Sequence, residues 1–78
     1  MTTLLVGNLS PKTNASDLQT VFSAFGEIGS IRVACDRAGH ARGFALAELE
    51  HRVAAIAMQA LKDVELRGRI IGRHLALP

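Results

Sequence analysis

The stretch Arg42-Gly43-Phe44-Ala45-Leu46-Ala47-Glu48-Leu49 decides how this chain folds. Successive side chains of a strand point to opposite faces, so Gly43, Ala45, Ala47 and Leu49 fall on one side and Arg42, Phe44, Leu46 and Glu48 on the other. The first set is small and apolar, suited to close packing beneath helices. The second sets a phenylalanine and a leucine beside a guanidinium. Such a group is out of place facing water unless something flat and negatively charged lies against it, and a nucleic acid has both properties.

The octapeptide resembles the longer signature of the RNA-recognition motif family, Lys/Arg-Gly-Phe/Tyr-Gly/Ala-Phe-Val-x-Phe/Tyr, and Leu4-Leu5-Val6-Gly7-Asn8-Leu9 resembles its shorter hexapeptide on the first strand. Between the two lies a helical pattern ending in Phe25-Gly26, and a Gly-Arg pair at Gly68 and Arg69 precedes a last strand closing at Ala76. The resemblance implies single-stranded RNA as ligand, with bases stacking at the places held here by Leu5, Phe44 and Leu46. One aromatic of these three is present, so weak binding is expected. Asn8 also stands in the family's place. Arg42 and Arg32 on the sheet, and Arg37 and His40 in the turn before Arg42, are candidates for phosphate contacts.

The rest of the chain reads in the same order. Thr2 to Val6 is a first strand, with Leu4 and Val6 inward and Thr3 and Leu5 outward. Asn14, with Asp17 three residues on, caps a helix whose Leu18, Val21, Phe22 and Phe25 share a face, and Gly26 stops it. Ile28 to Cys35 alternates as a second strand, with Cys35 expected in its buried register. Gly39 supplies the positive φ for the hairpin into Arg42. From His51 to Leu61 an Ala-rich helix shows Val53, Ala54, Ala57, Met58 and Leu61 on one face, without a strong starting cap. Asp63 stands where left-handed geometry ends that helix. Leu66 to Leu75 holds the last strand. Strict alternation from Ile71 points Arg73 at the core, so a bulge or bend at Gly72 is expected to re-aim it.

The order strand, helix, strand, strand, helix, strand gives an α+β fold: a ferredoxin-like βαββαβ sandwich with an antiparallel four-stranded sheet and both helices on one face, one domain over residues 1–78. Nine basic and seven acidic residues give a net charge of +2, and seven of the nine are Arg, which favours planar contacts to phosphate. Cys35 is the one cysteine, so the chain has no internal disulfide. Cys35, His40, His51 and His74 follow no metal-ligand spacing, and neither a Gly-rich phosphate loop nor a Ser-centred nucleophile motif is present, so no enzyme activity, metal or cofactor is expected. The apolar runs are too short to span a membrane, no membrane partner is expected, and an intracellular place is, the cytoplasm first with the nucleus open. Two partners then compete for the bare sheet face. Single-stranded RNA, or single-stranded DNA, fits Phe44 beside Arg42. A protein partner on a Leu5/Phe44/Leu46 patch fits the loss of two rings.

Overall fold

Leu4 and Val6 set the sheet. They lie fully buried on the inner face of β1 (Thr2–Gly7), which pairs antiparallel with β3 (Ala41–Leu49) on one side and β6 (Gly72–Ala76) on the other. With β2 (Ile28–Cys35) against β3, the sheet order is β2-β3-β1-β6. The computed structural model describes residues 1–76, Ala76 through its backbone alone, so the last two positions of the expected domain, Leu77 and Pro78, fall outside the described residues. Ala45, Ala47 and Leu49 of β3 join Leu4 and Val6 beneath the helices, as the alternation requires. The small alanines let the helix side chains approach the sheet backbone closely.

Helix α1 (Ala15–Ser23) begins at Asn14, whose side chain accepts from the Asp17 N–H at 2.9 Å while the Asp17 carboxylate accepts from the Asn14 N–H at 3.2 Å. This reciprocal pair satisfies two of the donors that a helix start leaves free. Leu18 and Phe22 are buried, and Val21 and Phe25 pack against the same core. Gly26 follows the helix end at φ 148°, and a β-carbon there would lie 2.6 Å from Val53 Cγ2, so the chain needs glycine where the second helix crosses it. That helix, α2 (His51–Ala60), does have a starting cap: the Glu50 carboxylate accepts from the Arg52 N–H at 3.2 Å. Val53, Ala54 and Ala57 are buried, and so is Leu61 just beyond the helix.

Three further expectations are corrected. Cys35 is exposed, because the β2–β3 register shifts between Val33↔Ala45 and Cys35↔Ala41, where one residue of β2 opposes three of β3. This is a β-bulge, and it lifts the end of β2 away from the core before the alternation can bury the thiol. The single last strand is instead a short hairpin followed by a strand. The hairpin pairs β4 (Glu65–Leu66) with β5 (Arg69–Ile70) through Arg67 and Gly68, at φ 49° and 83°. Positive φ at both central residues is the signature of the tight turn whose twist matches its strands. The third correction concerns Arg73. Gly72 makes no bulge: the β1–β6 register runs unbroken from Thr3↔Ala76 to Gly7↔Gly72, and Arg73 stays on the helix side. Its Nε donates to the Met58 carbonyl at 2.6 Å. Met58 lies in the last turn of α2, a turn that contains no basic residue, so the guanidinium of β6 satisfies a carbonyl at the negative end of that helix.

The hairpin is tied back to the start of the chain. Arg67 donates to the Asp17 carboxylate through Nε at 2.6 Å and Nη2 at 3.2 Å. The Arg67 hydrogen bond, with the Asn14 N–H behind it, holds the Asp17 carboxyl below its ordinary range, and Asp17 in turn raises Arg67. Asp63 adopts φ 64°, the left-handed geometry expected of it, and Gly39 adopts φ 85° in the β2–β3 turn.

Candidate nucleic-acid interface

The outer face of the sheet follows from the same register that builds the core. Arg32 pairs with Leu46, Leu46 with Leu5, and Leu5 with His74, so these four side chains form one row across all four strands. The row is apolar in the middle and basic or imidazole-bearing at its ends. On one side of it runs a second row, Ser30, Glu48 and Thr3. On the other side β1 and β6 contribute Gly7 and Gly72, paired and without side chains. Continuing the β1–β3 register one step beyond Val6↔Ala45 sets Phe44 beside Gly7.

Arg42 and Phe44 rise from β3 on this outer face, with Gly43 between them at φ 88°. The Gly43 carbonyl accepts from the Leu9 N–H at 2.9 Å, which anchors the loop after β1 to β3. The Arg42 guanidinium carbon lies 5.2 Å from the centroid of the Phe44 ring. A cation at that distance over a ring is held by the ring's quadrupole, so the one aromatic of the outer face already carries a positive group.

Of the residues singled out from sequence, Leu5, Arg32, Arg42, Phe44 and Leu46 therefore share one surface. Leu5, Phe44 and Leu46 are half-buried, and Arg32 and Arg42 are exposed. Arg37 and His40 lie in the β2–β3 turn, at the end of the sheet where Arg42 begins β3. The turn is organised by Asp36, whose carboxylate accepts from the Ala38 and His40 N–H groups, both at 2.9 Å, and stands 3.6 Å from His40 Nδ1. Asn8 lies at the same end of the sheet, at φ 55°, and its side-chain amide donates to the Ile70 carbonyl at 2.7 Å. Its amide nitrogen thus holds the loop after β1 to the β4–β5 hairpin.

Three outer-face residues escaped the sequence reading: His74, Gly7 and Gly72. The signal for His74 was present, because the alternation that points Arg73 inward points His74 outward. A bulge at Gly72 would reverse both, and the unbroken β1–β6 register shows that there is none. Among the described residues no three His, Cys, Asp or Glu side chains come together as metal ligands, and no helix is long and apolar enough to cross a membrane.

A family model described as the RNA recognition motif matches residues 4–72. The chain is 44% identical over 75 residues to the small ribosomal subunit protein mS86 of Arabidopsis thaliana, covering 94% of this chain and 48% of that protein. It is 42% identical over 77 residues to multiple RNA-binding domain-containing protein 1 of Schizosaccharomyces pombe, covering 97% of this chain and 9% of that protein. The chain thus spans about half or less of the length of these relatives. Among solved structures, RNA binding protein PG1 superposes with a TM-score of 0.94 at 32% identity, covering 100% of this chain and 96% of that one.

Proposed function

The chain belongs to the RNA recognition motif family, and from that premise we propose that it is a single binding unit, residues 1–78, that takes single-stranded RNA on its outer sheet face. The observation that carries this reading is the Phe44 ring with the Arg42 guanidinium over it, set beside the Arg32–Leu46–Leu5–His74 row. A base stacks on Phe44, Leu5 and Leu46 give apolar contact to bases or sugars, and Arg32 and Arg42 meet phosphates. Arg37, His40 and Asn8 extend the path at the end of the sheet where the ring lies. A duplex does not suit this surface, because its bases are already stacked on one another. Single-stranded DNA presents the same phosphates and bases of the same planar kind, and is the second nucleic acid the face accepts. The role is binding rather than catalysis, exercised inside the cell, in the cytoplasm or the nucleus.

Two leucines in place of rings remove about 1–3 kcal/mol of stacking each, partly offset by apolar contact, so micromolar or weaker binding of short oligonucleotides is expected. The test is a chemical-shift titration with a pool of short single-stranded RNAs. Shifts concentrated on the outer residues of β1 and β3, and lost in Phe44→Ala with the fold intact, support the reading. Shifts confined to the helices, or a Phe44→Ala variant that binds as well as the parent, overturn it and return the patch to a protein partner.

A further inference from the structure

Beside Phe44 the sheet has a floor with no side chains. Gly7 and Gly72 pair across β1 and β6 on the outer face, and a β-carbon placed on Gly7 would meet nothing within 4 Å. The floor is bounded on its far side by His74, whose Nε2 lies 3.8 Å from where a Gly72 β-carbon would stand. The imidazole therefore reaches back along β6 toward the level of Gly7 and Phe44. Adjacent strands lie about 4.8 Å apart, so the Phe44 and His74 strands stand roughly 10 Å apart with only the β1 backbone between them. Glycine is the residue that lets a ligand approach the backbone this closely.

We propose that this slot is a base subsite of its own: a nucleobase lies flat against the bare peptide of Gly7, with Phe44 to one side and the His74 imidazole at its edge. The inference rests on the RNA-binding reading and adds a residue to it. Shape and charge both favour a base as the occupant. The floor is flat and fits a planar ring, whereas a branched protein side chain needs a pit. Arg42 over the neighbouring Phe44 ring, with Arg32 farther across the same face, suits a polyanion, and Glu48 is the one acidic side chain of the paired outer rows. His74 can donate to or accept from a base edge, which a leucine cannot. The slot therefore gives the face a ring-bearing contact on β6, away from the places where Leu5 and Leu46 stand.

The test uses a random-sequence RNA pentamer pool labelled at one end, with the deoxy pool in parallel to separate RNA from single-stranded DNA as the source of the base. Gly7→Val fills the slot from below. His74→Ala removes its wall at an exposed position. Each is expected to weaken binding about fivefold or more, the size of one stacked base, at an unchanged melting temperature. If Gly7→Val lowers the melting temperature, His74→Ala decides alone. Wild-type affinity in the variants, alongside loss of binding in Phe44→Ala, overturns the subsite and leaves the RNA reading standing. Failure of the unaltered protein to bind either pool overturns both.

Discussion

Arg42 is placed to act in two opposing ways, and the balance between them depends on salt. Its guanidinium lies over Phe44, so a base that takes that ring face must first displace it. An exposed cation–π contact is worth about 0.5–1 kcal/mol. Removing the arginine returns that amount to the incoming base, roughly 0.4–0.7 log units of affinity. The displaced guanidinium gains a phosphate, and each such contact to a single strand contributes a slope of about −0.7 in log K against log salt. That contact is worth about 0.7 log units at 0.1 M salt and close to nothing at 1 M. Arg42→Ala should therefore bind RNA more weakly than the parent below about 0.1 M salt and more tightly above about 0.3 M, with a slope shallower by about 0.7. Fluorescence anisotropy of a labelled pentamer across a salt series measures this, the label being on the RNA because the chain has neither Trp nor Tyr. Parallel slopes would show that Arg42 meets no phosphate. A shallower slope without any crossing would show that the guanidinium remains stacked in the complex, and the competition argued here would be wrong.

Restoring rings with Leu5→Tyr and Leu46→Phe should tighten RNA binding by about 1 kcal/mol or more for each base that already lies across those positions, read from isotherms of the single and double variants. Gly26→Ala should lower the melting temperature sharply, since its β-carbon would lie 2.6 Å from Val53 Cγ2, and adding Val53→Ala should recover part of the loss in a double-mutant cycle. Arg73→Met keeps much of the apolar stem but leaves the Met58 carbonyl without its donor, at a cost of roughly 1–2 kcal/mol in urea unfolding. The Asp17 carboxyl is held low in the folded state, so its contribution is full above the unfolded carboxylate range and is lost as pH falls through the folded value. Asp17→Asn should accordingly flatten the acid limb of the stability–pH curve. A variant with the same acid limb as the parent would place the linkage elsewhere.

What could be read from the chain alone is what depends on near neighbours in sequence. The two faces of β3, the Asn14–Asp17 cap and the Gly39 turn all follow from residues within a few positions of one another, and the structure has each as expected. Arg73 could not be read this way. Its partner is a carbonyl at the end of a helix fifteen residues earlier, and no local pattern marks a carbonyl as needing a donor. The exposure of Cys35 is equally hidden, because the alternation of β2 is regular, while the extra residues that break the pairing belong to β3. The interface divides likewise. Leu5, Phe44 and Leu46 came from motif and alternation together, whereas the Gly7–Gly72 floor exists only once the first and last strands are known to be paired.

The sheet order also bears on how the chain is made. β1 is synthesised before every other element, yet it lies inside the sheet, and its partners β3 and β6 begin only at Ala41 and Gly72. At about 5–20 residues per second, β1 waits several seconds on the ribosome before its second neighbour is translated. For most of that time Leu4 and Val6, which end wholly enclosed, have neither a complete sheet nor α2 to cover them. The first strands cannot settle in the order of their appearance. The domain instead closes late, when β6 adds to the free edge of β1 and Arg73 reaches the end of α2, so a ribosome stall just before Gly72 should leave a nascent chain that proteases still cut.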